Sequence, residues 1–268
     1  MYDERLKNFT KLYNELSIIY GGVNVFIDFV KMCAISIYNS FAKSQEMEQQ
    51  YLKTINSYRK EHQQIFPKMF GELIMMYEES EDITDILGPF YEREHLGNNR
   101  LGQFFTPTHI SDFMSEISLE DEQTLKNIIN KRGFISMAEN ACGAGGIILS
   151  LAKSLHKRNI NYQQDLLVEA TDISDVCAYM TYIQLSLYGI PATVYCGDTL
   201  SQNFRFKLET PLFFIQYWKF RNFYMKSNEE KNEQLHQSES KIIIEKPIEK
   251  QNLFKEITVK GNCQISLW

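Results

Sequence analysis

Three glycines, Gly143, Gly145 and Gly146, interrupt the stretch "MAENACGAGGIILS" at residues 137–150, between a short apolar run and a longer one. Inside a regular element each would cost about 0.5–1 kcal/mol relative to alanine, so the stretch reads as a turn. Its flanks have different periods. "FISMAEN" is short and strand-like, whereas "GIILSLAKSLHKR" is helical. Beyond it, "DLLVEATD" and "ATVYCGD" read as two more strands with the helix "DVCAYMTYIQLSLYG" between them. Strands alternating with helices form right-handed parallel βαβ units, so the class is α/β. An open parallel sheet binds ligands beyond the carboxyl ends of its strands. The glycines sit at that edge, where they permit a tight turn, close ligand approach and close packing of the next helix.

The rest of the chain differs in texture. Residues 1–100 form a helical N-terminal region, since apolar residues recur at helical spacing in "RLKNFTKLYNEL", "VNVFIDFVKMCAISIYNSF" and "FPKMFGELIMMYEE". Gly21-Gly22 and Pro67 mark boundaries there, and Gly88-Pro89 a later break. Residues 101–225 carry the sheet. Residues 226–268 read as a flexible polar tail, because "MKSNEEKNEQLHQSESK" cannot bury enough surface to order itself. Hydrophobic residues make up 44% of the chain, which suits a soluble globular protein, and the net charge of −6 argues against a surface wholly coated for nucleic acid. The most apolar stretch, "LSIIYGGVNVFIDFVKMCAISIY", contains Asp28 and Lys31, which favours a buried helix over a membrane span. The five cysteines lack C-x-x-C spacing and read as reduced thiols. No metal site is evident, no membrane partner is expected, and the expected location is the cytoplasm.

Two acids give the glycines a chemical context. Asp172 ends the second strand, where a nucleotide ribose is held. Asp198 ends the third, where a carboxylate can accept the N–H groups of a free adenine amine. The bland alternative is a βαβ protein with glycines for packing and Asp172 as a helix N-cap.

Four segments in this order resemble the S-adenosylmethionine-dependent adenine-N6 DNA methyltransferases, in particular the modification subunits of type I restriction systems. "LGQFFTPTHISDFM" looks like the family's Phe-Thr-Pro segment. "AENACGAGG" is similar to acid-Pro-x-x-Gly-x-Gly-Gly, with Asn140 in place of the proline. "VEATDIS" is similar to the ribose segment, followed by "YIQLSLYGI" where the family has Asn-Leu-x-Leu-x-Gly. "GDTL" is similar to the adenine-side segment. The resemblance implies a Rossmann-like class I methyltransferase sheet and S-adenosylmethionine as cofactor. It implies that Glu139 meets the methionine ammonium, that Gly143 and Gly145 pass under the cofactor, and that Asp172 takes the ribose and Asp198 the adenine. Phe105 and Thr106 would close the methionine side. Read locally, "QFFTPTHI" is also a helix start, with Thr106 as N-cap and Pro107 in the first position.

The family's catalytic tetrapeptide, Asn/Asp-Pro-Pro-Tyr/Phe, does not occur in the sequence. Two readings follow: an active enzyme completed by a partner or by an atypical site at residues 209–217, or a non-catalytic derivative that binds cofactor or partner. No catalytic residue is assigned. The sheet is expected to be truncated after its third strand, with strand one near an open edge covered by N-terminal helices, by residues 210–224 or by another subunit. "FRFKLETPLFFIQYWKFRNFY" interleaves Arg205, Lys207, Lys219 and Arg221 with aromatic residues, either for DNA or as a core strand or helix with its basic residues on the outer side. The partners implied are DNA and a second methyltransferase or specificity subunit. Finally, "QISLW" resembles the motif by which bacterial replication and repair proteins dock on the sliding clamp, with Gln264, Ile265, Leu267 and Trp268 as anchors; the alternative is a terminal strand packed back on the domain.

Overall fold

The computed structural model describes residues 2–96, 105–216 and 265–267. Eight helices precede the sheet: α1 (Tyr2–Tyr20), α2 (Gly22–Ala42), α3 (Gln45–Ile55), α4 (Lys60–Gln63), α5 (Ile65–Glu78), α6 (Leu87–Arg93), α7 (Thr108–Ser118) and α8 (Glu122–Arg132). The alternating part follows as β1 (Ile135–Glu139), α9 (Gly146–Lys157), α10 (Tyr162–Asp165), β2 (Leu166–Asp172), α11 (Asp175–Leu187), β3 (Ala192–Asp198) and β4 (Asn203–Glu209), and β5 (Ile265–Leu267) comes last. All belong to one unit, Met1–Ile215 with Ile265–Trp268.

The α/β expectation holds: a helical N-terminal region precedes a short, mostly parallel sheet. The sheet order is β4-β3-β2-β1-β5. β1, β2 and β3 run parallel, with Ile135 opposite Leu166 and Val168 opposite Ala192. β4 returns antiparallel to β3, with a register break at Cys196/Gly197. β5 runs parallel to β1, from Met137 opposite Ile265 to Glu139 opposite Leu267. Two of these pairings fall on segments with two readings. β4 lies in the aromatic and basic stretch read either for DNA or as a core strand or helix, and residues 265–267, read as a docking motif or as a terminal strand packed back on the domain, lie along the free side of β1. An edge strand leaves N–H and C=O groups without partners, and β5 supplies some of them.

The helices and the sheet share one core. α2 packs on α1, α3 and α11, and α11 lies against β2 and β3. Phe9, Phe26, Phe29 and Leu73 from the helices join Leu166, Val168, Tyr182 and Ile183 in a single buried cluster. Burying each of these large side chains is worth about 1.5–3 kcal/mol. α2 is long and apolar enough to cross a membrane by length and composition. Its apolarity has a local use: Val25, Phe26, Phe29, Val30, Cys33 and Ala34 are buried at helical spacing. The prolines read as boundaries lie inside helices instead, Pro67 in α5 and Pro89 in α6. Both sit in the first turn, where the missing N–H has no intrahelical partner to lose.

Candidate functional site

The stretch between β1 and α9 is drawn tight by its own backbone. Cys142 N–H donates to Thr171 O of β2 at 2.9 Å, and Gly145 N–H returns to Cys142 O at 2.7 Å. Gly143 (φ +55°) and Gly145 (φ +93°) are left-handed, a conformation that costs L-residues energy. A Cβ on Gly143 would lie 2.9 Å from Phe105 Cδ1, and one on Gly145 would lie 3.2 Å from Thr181 Oγ1. The residue type is therefore set by contact as well as by φ. α11 holds the loop from the other side. Thr181 Oγ1 donates to Gly143 O at 2.8 Å, and Gln184 Nε2 donates to Ala144 O at 2.6 Å. Two side chains one turn apart thus fix two consecutive carbonyls.

The acids expected at the strand ends fall into two kinds. Asp172 is buried, with Oδ2 accepting Gly143 N–H and Oδ1 accepting Ser174 N–H, each at 2.8 Å. It is therefore both a helix-start acceptor and a brace for the glycine loop. Burial pushes its pKa up, and the two N–H donors oppose that rise. Glu139 is 3% exposed. Its Oε1 accepts Ala141 N–H at 3.1 Å, while its buried Oε2 has no hydrogen-bond partner among the described residues. Burial raises its pKa too. Asp198, by contrast, lies in an open turn. Its Oδ2 accepts Ser201 Oγ–H and its Oδ1 Leu200 N–H, each at 2.9 Å, and these bonds lower its pKa. Thr199 Oγ1 donates to Asn140 O at 3.0 Å and so ties this turn to the end of β1.

Phe105 and Thr106 do reach the loop. Phe105 N–H is held by Glu92 Oε1 of α6 at 2.9 Å, and its ring lies 5.5 Å from that of Tyr91. Helix α7 begins at Thr108 with Pro107 as its cap, one residue later than the local reading of "QFFTPTHI". Pro107 O accepts the N–H groups of Ile110 and Ser111, so a backbone carbonyl closes the first turn and the Thr106 side chain stays out of the cap. Ser111 and Ser115, both buried, face α9, and α7 packs on α9. Between these parts runs a crevice of about 60 Å³, lined by Asp85, Phe105, Thr106, residues 141–144, Gly146 and Ile147.

Asp85 and Gln184 escaped the sequence reading. Gln184 Oε1 accepts Tyr77 O–H at 2.8 Å and Ile86 N–H at 2.9 Å; its Nε2 donates to Asp85 Oδ1 at 2.8 Å as well as to Ala144 O. One fully buried amide thus joins α5, the start of α6 and the glycine loop. Asp85 Oδ1 also accepts Gly88 N–H at 2.8 Å. Burial raises the Asp85 pKa to about 6. The one sequence signal was the Gln184 position itself, where the family segment carries Asn.

The atypical catalytic site at residues 209–217 is not supported. Glu209 pairs with Thr193, at the amino end of β3, and Thr210 N–H donates to Ala192 O. This puts 209 and 210 at the opposite edge of the sheet from the glycine loop. Thr210 is fully buried, with its hydroxyl bonded to Ile190 O and to Ala192 N–H, so its role is to join strands. Residues 217–224 lie outside the described residues. In the basic stretch, Arg205 bonds Asp175 and Lys207 bonds Glu209, as in an ordinary sheet element; Lys219 and Arg221 lie outside the described residues. Of the docking motif, Ile265 and Leu267 fall in β5, and Gln264 and Trp268 lie outside the described residues.

Residues 83–253 match the N-6 DNA methylase family. A solved structure described as a class I S-adenosylmethionine-dependent methyltransferase, from Listeria monocytogenes, aligns at 13% identity with a TM-score of 0.35, over 75% of this chain and 55% of that one. The chain thus spans about half the length of that protein. No curated protein matches the sequence.

Proposed function

The chain belongs to the N-6 DNA methylase family, and we propose that it binds S-adenosylmethionine at the β1–α9 loop and associates with DNA for adenine-N6 methylation in the cytoplasm. The observation that carries this reading is Glu139 Oε2, a buried carboxylate oxygen without a donor among the described residues, beside a left-handed glycine loop. A buried acceptor left unsatisfied costs about 1–3 kcal/mol; a ligand N–H offsets that cost. The cofactor supplies an electrophilic methyl group on a sulfonium. For the protein's part, Glu139 accepts the methionine ammonium, the side-chain-free loop lets the cofactor backbone pass, and Asp172 accepts the ribose hydroxyls while still bracing Gly143. Asp198, half-buried at the end of β3, turns from its own loop toward the adenine amine. Phe105 must leave its seat on Gly143, since about 60 Å³ is well below the roughly 300–1,000 Å³ of small-molecule pockets.

The transfer step needs acceptors for the hydrogens of the adenine amine and an aromatic face for the flipped base. No Asn/Asp-Pro-Pro-Tyr/Phe tetrapeptide lies within residues 1–268, so those groups come from another polypeptide segment, such as a second methyltransferase or specificity subunit. The sequence lacks the tetrapeptide, and that single observation also favours the second reading, a cofactor-binding family member without transfer activity of its own. Calorimetric titration tests the shared claim: saturable S-adenosylmethionine binding supports it, and no heat at millimolar ligand refutes it. Methyl transfer to adenine-containing DNA, with and without candidate partner subunits, then separates the two readings.

A further inference from the structure

The crevice beside the loop has a chemical bias. No Lys, Arg or His is among the described residues that line it, and its one charged wall is Asp85. Asp85 comes from the segment before α6, far from the sheet in sequence. It is set against the loop by Gln184, whose Nε2 bonds both Asp85 Oδ1 and Ala144 O. With Oδ1 occupied by Gln184 and Gly88, Oδ2 is the oxygen turned toward the loop: a Cβ on Gly146 would lie 3.7 Å from it, and a Cβ on Gly88 would collide with it. Two glycines therefore clear the space around one carboxylate oxygen. Glu139, at the end of β1 beside the same loop, independently presents a buried Oε2 without a partner among the described residues. One carboxylate lining the crevice and a second at the foot of the same loop, with no cation among the described lining residues, select a ligand that carries positive charge.

We infer that Asp85 is a second carboxylate for the amino-acid end of the cofactor, contacting the α-ammonium from the α6 side while Gln184 keeps it in register with the glycine loop. The inference rests on the S-adenosylmethionine reading of the site. It also gives the N-terminal helical region a direct part in ligand recognition, since Asp85 and the Glu92 that anchors Phe105 both come from that region.

The test compares three ligands on wild type and Asp85→Asn by equilibrium titration: S-adenosylmethionine, S-adenosylhomocysteine and methylthioadenosine. The first two carry the ammonium and the third lacks the amino-acid end. Asp85→Asn is expected to weaken the first two about tenfold or more, the loss of a hydrogen bond to a charged group, and to leave methylthioadenosine within about twofold. Equal weakening of all three would make Asp85 a support for the loop and overturn the inference, as would unchanged affinity for all three. A wild type that binds none of them refutes the cofactor reading itself, a result distinct from either. If Asp85→Asn does not fold, Asp85→Ser takes its place, since a serine hydroxyl still offers Gly88 N–H an acceptor.

Discussion

The carboxyl ends of β1 and β2 and the carboxyl end of β3 belong to the same sheet edge but are built differently. At the first, Glu139 and Asp172 are buried and bonded to the backbone of the glycine loop. At the second, Asp198 sits in an exposed turn and spends its oxygens on Leu200 and Ser201. Preorganisation separates them. A ligand group meeting the β1–β2 end finds carboxylates buried and held by backbone N–H groups of Ala141, Gly143 and Ser174, whereas Asp198 is held only within its own short turn. On the proposed S-adenosylmethionine reading, the methionine and ribose half would meet the prepared end, and the adenine half the end that must adapt.

Four measurements sharpen or break this contrast. The largest effect is expected from Gln184→Leu, which strips partners from Tyr77, Ile86, Asp85 and Ala144 at once. Each buried group left unsatisfied costs about 1–3 kcal/mol and some relax, so a loss of about 3–5 kcal/mol in unfolding free energy is expected from urea denaturation. A loss under about 1 kcal/mol would mean that the loop stands without its support from α11. Next, Asp172→Ala should weaken S-adenosylmethionine by about 1.5–3 kcal/mol, while Asp198→Ala should weaken it less and leave the melting temperature unchanged. An Asp198 effect as large as that of Asp172 would erase the distinction between the two ends.

The third concerns pH. Burial, with Glu92 nearby, raises the Asp85 pKa to about 6, above the roughly 3.9 of an unfolded aspartate. Between those values the folded state keeps a proton that the unfolded chain has lost. Stability contributed by this group therefore falls as pH rises from about 4 to 6 and stays at the lower level above. The ceiling is about 3 kcal/mol, and solvent at the crevice mouth cuts it to the order of 1 kcal/mol. Denaturation midpoints of wild type and Asp85→Asn should converge at low pH and part toward pH 7, with the variant relatively more stable. Parallel pH profiles would show that the carboxyl is already charged at low pH. Smallest is Gly145→Ala, which forces an L-residue into φ +93° beside Thr181. A loss of about 1 kcal/mol is expected; a neutral result would mean that the loop relaxes and is less rigid than its bonds imply.

The two ends were also unequally legible in the sequence. β1, β2, β3 and the loop could be read because their signals are local: short apolar runs, glycines after the first, and helical runs with a period near 3.6 between them. Asp172 was legible for the same reason, as the last residue of a strand. Asp85 was not, because what makes it part of the site is a contact to Gln184 across 99 positions, and no local pattern encodes that. β4 was obscured by aromatic and basic residues on both faces. β5 has three residues, too few for any period, and its pairing depends on the free side of β1. The stretch 209–217 read as a possible site because Glu209 stands beside Pro211 and several aromatics, but antiparallel β4 carries Glu209 to the far edge of the sheet.

The Gln184 amide has one more consequence, for the way the molecule comes apart. It is shared by α5, α6, α11 and the glycine loop, and the apolar cluster around it draws on helices and strands alike. Neither part can open without exposing the other's interior. The helical region and the sheet should therefore melt as one cooperative block, with a calorimetric enthalpy equal to the van't Hoff enthalpy. A fragment that begins after α6 should not hold a native sheet, however complete its βαβ sequence looks.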